Sequence, residues 1–274
     1  MTSLEIIVVD NAGDLGDGDI RPAIGDVRLK LLNPGANLYC SGGRRFGAER
    51  ATGELLFFID DDNILDRSCI RELIESFVAI PGLGMAGPLM LIYKKKDQIW
   101  AAGAHVNKWG ITIHLHMNDD RNRIQLPKVI EGVDYFPNAF MVRTDLLKEV
   151  PFDVATFPHN WSEPDFGLRL KQKGYKIAAI TTAIDWHDID YFGHTTRTDY
   201  RKIYDQAKSR ILFRRRFFNG FNDKLRFWVV IFPASSLYYF KAALKSQDDR
   251  KIRMMLQYVR GTFDGTRDSI VEVR

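Results

Sequence analysis

Short apolar runs separated by polar turns mark out the first two thirds of the chain. Leu4 to Val9 and Leu55 to Ile59 are nearly continuous hydrophobic runs of five or six residues. They are too short for free-standing helices and suit strands buried on both faces of a sheet. Val27 to Leu32 reads as a third short strand, followed by the turn Asn33-Pro-Gly-Ala-Asn37. The segment from Ser41 to Ala51 predicts a helix that opens on glycines. Ser68 to Ala79 predicts another, with Ile70, Leu73, Ile74, Phe77 and Val78 at helical spacing. Met85 to Ile92 is a strand candidate interrupted by Pro88, and residues 93–130 lack clear periodicity and read as long loops and hairpins. A strand and then a helix follow over Asn138 to Val150, with a helix opening at Trp161 and stopped by Gly174. Tyr175 to Ala183 supplies a last strand. The recurring strand, helix, strand order predicts an α/β, Rossmann-like fold whose mostly parallel sheet is flanked by helices.

The apolar run at 55–59 delivers three adjacent carboxylates, Asp60, Asp61 and Asp62, at a strand's C-terminal end. That is the edge at which open α/β sheets place ligands. Three neighbouring acids repel one another, so a cation among them is expected, and oxygen ligands of this kind suit Mg²⁺ or Mn²⁺. A solvated acidic turn leading into the helix at Ser68 is the plainer alternative. The first strand also ends on an acid, Asp10, and runs into a loop rich in Asp and Gly up to Asp19.

With 45% hydrophobic and 27% charged residues, the 274-residue chain can bury an ordinary core. Its two cysteines, Cys40 and Cys69, make no disulfide framework or metal-ligand pattern, which points to a reducing compartment. No basic stretch followed by an apolar core opens the sequence, so no signal peptide is expected. The net charge of +4 conceals an asymmetry: residues 1–200 hold 22 Lys+Arg against 28 Asp+Glu, and residues 201–274 hold 17 against 7. We therefore read 1–200 and 201–274 as two parts that meet different surroundings, the second a helical, basic and aromatic C-terminal extension. Within the latter, Phe227 to Phe240 is a run of 14 uncharged residues, short of the roughly 20 that span a bilayer. With basic flanks and aromatic ends it suits an element lying in an anionic membrane interface. A buried helix pair with a solvated basic face would show the same pattern.

In order along the chain, EIIVVDN (5–11), NLYCSGGRR (37–45), IDDD (59–62), FMVRTDLLKEV (140–150), SEPDFGLRLKQKGYKI (162–177) and WHD (186–188) resemble the inverting glycosyltransferases of family two, which have the GT-A fold. The resemblance implies a nucleotide-sugar donor, of UDP or dTDP type rather than GDP type, bound through Asp10, Asn37, Gly42, Arg44 and Asp61. It implies a metal held by Asp60 and Asp62 with His187 completing the shell. Glu163 falls on the second acid of the family's paired acids and is the expected catalytic base, with Asp165 as the alternative because Ser162 replaces the first acid. Read alone, Glu163 is also what a helix first turn favours, and His187 could be a structural histidine. The tail resembles those of rhamnosyl- and related transferases, which implies a glycan or lipid-linked saccharide acceptor and a cytoplasmic position, peripheral on the inner face of the cell membrane. The sequence begins at what would be the family's second strand, so a βαβ unit of roughly 30 residues is expected to be missing and a sheet edge to be left open.

Two readings from other classes compete. A nucleic-acid-binding protein would explain the basic tail, though not the acids at the strand end, and no nucleic-acid partner is expected. A non-catalytic nucleotide- or glycan-binding relic would explain the missing strand.

Overall fold

The computed structural model describes residues 4–16, 28–188, 200–245 and 251–270. Strands β1 (Glu5–Val9) and β2 (Arg28–Leu32) pair in parallel as a two-stranded sheet, with helix α1 (Tyr39–Ala48) following. Strands β3 (Leu55–Phe58), β4 (Asn63–Leu65), β5 (Leu83–Ile92), β6 (Lys95–Ala101), β9 (Val129–Ile130), β10 (Phe140–Arg143) and β11 (Lys176–His187) form a separate seven-stranded sheet. A small hairpin of β7 (Ala104–Val106) and β8 (Thr112–His114) lies outside it. Among the described residues no strand pairing joins the two larger sheets, which leaves the far edges of β1 and β3 open.

The large sheet is mixed. Its order is β3-β10-β5-β11-β4, and β5 and β11 run parallel, while β10 threads the opposite way between β3 and β5. Strand β5 is buried along its whole length and is not broken at Pro88. The missing proline N–H is accommodated by the partner: the β11 register jumps from Ile180 opposite Pro88 to Ile184 opposite Leu89. Beyond that bulge β11 continues past the expected end at Ala183 to His187, and this extension carries a candidate site residue to the sheet edge. The segment 93–130, expected as long loops and hairpins, contributes β6, β7, β8 and β9, with β7 and β8 paired as a hairpin.

Both sheet faces are covered, as the alternation of side chains requires. On one face Met85, Val142, Phe140, Phe152, Phe166 and Leu170 form the largest core, with helix α4 (Ser162–Gln172) packed down on it. On the other, Ala86, Met141 and Ala178 meet Cys69 and Leu73 of helix α2 (Cys69–Ala79). The rings of Phe152 and Phe166 lie 4.6 Å apart, and each buried ring of this kind contributes roughly 1.5–3 kcal/mol. Helix α4 approaches closely because Gly167 faces the Asp134 carbonyl, where a Cβ would come within 1.9 Å. The one-turn helix α3 (Leu146–Glu149) follows β10.

The C-terminal region is helical: α5 (Tyr200–Phe217), α6 (Phe221–Arg226), a π-helical turn (Phe227–Ile231), α7 (Phe232–Lys245) and α8 (Lys251–Arg267). Helix α8 lies against α5 through Gly261 and Gly265, whose missing side chains let it contact the Tyr204 and Lys208 carbonyls. Helix α5 is also tied to the sheet domain. Arg216 binds Asp153 at 2.7 Å and also pairs with Asp165, and the Phe213 ring packs 4.8 Å from Trp161. No helix among the described residues is long and apolar enough to cross a membrane.

Candidate active site

The three acids leave the end of β3 and enter β4, whose Asn63 is registered opposite His187 of β11. That pairing, reinforced by the Asp188 N–H donating to the Asp62 carbonyl at 2.7 Å, sets the Asp62 carboxylate 3.1 Å from His187 Nε2. Nε2 also lies 3.0 Å from Asn138 Nδ2, so one nitrogen faces both a donor and a carboxylate. The His187 ring is held in place by Trp100, whose centroid lies 4.3 Å away, edge to face. Asp62 Oδ1, Asn138 Oδ1 and His187 Nδ1 are buried without hydrogen-bond partners among the described residues. Unpartnered buried polar atoms of this kind are costly, and a divalent cation beside Asp62 would remove part of that cost.

Asp60 points elsewhere. Its carboxylate accepts from Arg44 of α1 at 3.0 Å, and Arg44 also pairs with Glu163 at the start of α4. Burial works against the Arg44 charge, but Glu163 and Asp60 more than offset this, so its pKa rises above the ordinary arginine value. Burial raises the Asp60 pKa despite the guanidinium beside it. Glu163 also accepts from Ser162 Oγ at 3.0 Å, and Cys40 Sγ lies 3.9 Å from it, with burial pushing that thiol up to about 12. Trp161, just before α4, holds a left-handed backbone (φ +70°) that is rare for a large side chain and turns the chain into the helix beside the site. Behind the acids, Asp185 is fully buried, its pKa raised by burial to about 7 although Asn63 Nδ2 donates to it at 2.5 Å.

The site residues expected from the sequence therefore divide into groups. Asp60, Asp62, Arg44, Glu163 and His187 are drawn together at one sheet edge, with Asn138 between Arg44 and His187. Asp61 is exposed. Asp10 is buried in its own loop, accepting from the N–H groups of Ala12, Gly13 and Leu15, the last of which does most to lower its pKa. Asn37 caps the turn into α1 by accepting from the Tyr39 N–H at 2.8 Å, and Asn11 ties the Asp10 loop to that turn. Gly42 is buried on α1, where a Cβ would meet Leu38 at 2.9 Å, so its place is one of packing. Asp165 faces away from Glu163: its carboxylate is fully buried and taken up by Arg169 at 2.7 Å and by Arg216. Burial raises its pKa, and these two guanidiniums act against the rise.

No three His, Cys, Asp or Glu side chains among the described residues gather as a ready-made metal cage. The pair Asp62 and His187 still fits a magnesium- or manganese-type ion, since such ions commonly take one or two protein ligands and complete their shell with substrate phosphates. Asn138 was not singled out in the sequence, and Trp100 stood there only as one aromatic of the 93–130 segment. The one available signal was a lone amide in the otherwise apolar Phe136-Pro-Asn-Ala-Phe-Met-Val run.

Solved structures share this architecture across nearly the whole chain. GalNAc-T7 with UDP, GalNAc and Mn²⁺ superposes with a TM-score of 0.63 at 12% identity, covering 96% of this chain and 48% of that one. The chain thus spans about half the length of that protein. The mannosyltransferase PcManGT from Pyrobaculum calidifontis, in complex with GDP-Man and Mn²⁺, gives 0.51 at 12% identity, covering 96% and 77%. At these identities the likeness is one of fold, the GT-A glycosyltransferase fold. No curated protein matches the chain. The sequence profile of glycosyl transferase family 2, however, matches residues 2–151, more than half of the sequence, and the chain belongs to that family.

Proposed function

We propose that the chain is a metal-dependent, inverting glycosyltransferase that moves a sugar from a nucleotide-sugar donor to a saccharide or lipid-linked acceptor. The observation that carries this reading is the cluster at the sheet edge, in which Arg44 pairs with both Asp60 and Glu163 and Asp62 lies against His187. Asp62 and His187 would hold a Mn²⁺ or Mg²⁺ ion, whose chemistry when bound is to offset charge growing on the departing diphosphate. Arg44, buried and permanently charged, is placed to take part of the same charge. A diphosphate would compete with the two carboxylates for this guanidinium and so loosen its hold on Glu163. Glu163 would then take the proton of the acceptor hydroxyl as that oxygen bonds to the anomeric carbon. The bond to the diphosphate oxygen breaks with its electron pair, and the configuration inverts. The UDP, GDP-Man and Mn²⁺ in the two similar structures support a nucleotide sugar and a divalent ion as partners here. UDP- or dTDP-linked donors remain our choice of class.

The C-terminal helices favour an acceptor presented at a cytoplasmic membrane face. Phe221, Leu225, Val229, Leu237 and Tyr238 are each more than half exposed, amid the basic residues of the tail. Glu163→Gln tests the base. Turnover is expected to fall roughly 10²-fold or more with donor binding not weakened, and unchanged turnover would remove Glu163 from the role.

A further inference from the structure

Away from the sheet edge, α5, α6, the π-helical turn and α8 enclose a cavity of about 390 Å³. Its lining includes Arg214, Arg215, Lys224, Asp223, Phe227 and Trp228. Arg214 is 4% exposed, yet its guanidinium meets carbonyls rather than carboxylates: those of Trp109, and of Asp223 at 3.2 Å. Its planar group lies over the Phe227 ring at 5.1 Å and beside Phe218 at 5.8 Å. Arg215 likewise donates to the Gly265 and Asp268 carbonyls. Lys224 is exposed at the cavity and makes no ion pair among the described residues. Asp223, the single carboxylate of the lining, lies 3.6 Å from Arg226 and 3.1 Å from where a Gly220 Cβ would stand. Three cations face one acid, and carbonyls alone do not neutralise a buried guanidinium.

The same helical run presents an apolar face beside the cavity. Phe221 and Val229 are 80% and 63% exposed, and Trp228 belongs to both surfaces, lining the cavity while 38% exposed. The helical run widens into a π-helical turn at Phe227–Ile231, and such turns are often found at functional positions. We propose that this cavity binds the phosphate of a phosphorylated lipid, with Arg214, Arg215 and Lys224 taking the headgroup and Trp228, Val229 and Phe221 meeting the apolar chain. Guanidinium and ammonium groups give phosphate charge-assisted hydrogen bonds, and the neighbouring apolar ridge selects an amphiphile over free phosphate. The site is separate from the catalytic one and rests on the membrane reading above only for the source of the phosphate.

The test is calorimetric titration of the full chain with octyl phosphate below its micellar concentration, with EDTA present and no nucleotide sugar, so that failure of the catalytic reading leaves it untouched. Octyl phosphate is expected to bind at least about tenfold more tightly than inorganic phosphate or octyl glucoside. Lys224→Glu, at an exposed position that should not disturb folding, is expected to weaken octyl phosphate by about tenfold. Trp228→Ala is expected to abolish the preference for octyl phosphate over inorganic phosphate. Glu163→Gln is expected to bind octyl phosphate as the parent does. Equal binding of inorganic and octyl phosphate would make free phosphate the ligand and overturn the lipid assignment. Equal binding of octyl glucoside, the same affinity in Lys224→Glu, or no binding at all would overturn the phosphate site.

Discussion

Two acidic residues on one helix have opposite surroundings. Glu163 opens α4 on the side of Arg44 and Asp60, whereas Asp165, two residues on, turns inward to Arg169 and Arg216. An acid held between two guanidiniums in the interior has no acceptor hydroxyl within reach, which is why we place the base at Glu163. Asp165→Asn would leave Arg216 and Arg169 short of a partner in a buried network that also includes Asp153. Breaking such a pair costs about 3–5 kcal/mol. We expect Asp165→Asn to lower the urea midpoint and the thermal midpoint markedly with turnover of the folded protein retained, while Glu163→Gln, which leaves Arg44 paired with Asp60, lowers turnover far more than its smaller loss of stability accounts for. Loss of turnover without loss of stability in Asp165→Asn would reverse the two roles.

At the level of elements, β1 and β2 are joined to the turn ahead of β3 by Glu5. Its carboxylate pairs with Lys30 at 2.8 Å and accepts from the Thr52 N–H and hydroxyl at 2.7 Å. Lys30 first and Thr52 next lower the Glu5 pKa from 4.5 to about 2. The folded pKa lies below the unfolded one, so this stabilisation is complete above pH 4.5 and is lost as pH falls through about 2. Glu5→Gln should therefore be less stable than the parent at pH 6, with the difference in midpoint closing toward pH 2. A constant gap across that range would show that Glu5 acts through something other than its charge. The strands themselves were legible in sequence wherever five or six apolar residues stood together, as at Leu55 to Ile59 ahead of the acids. The grouping of Asp62 with His187 came from the family resemblance and not from local pattern, because it depends on β11 running on past a three-residue bulge to reach Asn63. Local pattern suggested a stop at Ala183, whereas the strand resumes at Ile184 beside Leu89 of β5 and then pairs with Leu65 of β4. The inward turn of Asp165 was also hidden, since its partner Arg216 lies 51 residues away on a helix of the basic tail.

Across the whole molecule, the charge step near residue 200 does not mark a part that stands alone. Helix α5 supplies Arg216 to Asp153 and Asp165 and buries Phe213 beside Trp161. A chain cut at Tyr200 would lose those partners, so the membrane reading is better tested with the full length. Near an anionic leaflet each basic residue contributes on the order of 1 kcal/mol, and the exposed apolar side chains of α6 and α7 add a part that salt does not screen. Full-length protein is expected to co-sediment with anionic vesicles, to release only partly at high salt, and to release fully there once Leu225 and Val229 are both changed to Glu. Protein left in the supernatant at low salt would mean that the tail is packing alone. The most direct measurement of the proposed function is release of nucleoside diphosphate from UDP-, dTDP- and GDP-sugars by the purified chain, with Mn²⁺ and with EDTA, in the parent and in Asp62→Asn. We predict release with Mn²⁺ from at least one donor, its loss in EDTA, its return when Mn²⁺ is restored, and its absence in Asp62→Asn. Release that persists in EDTA, or that is undiminished in Asp62→Asn, would contradict a metal-dependent transferase built on Asp62 and His187.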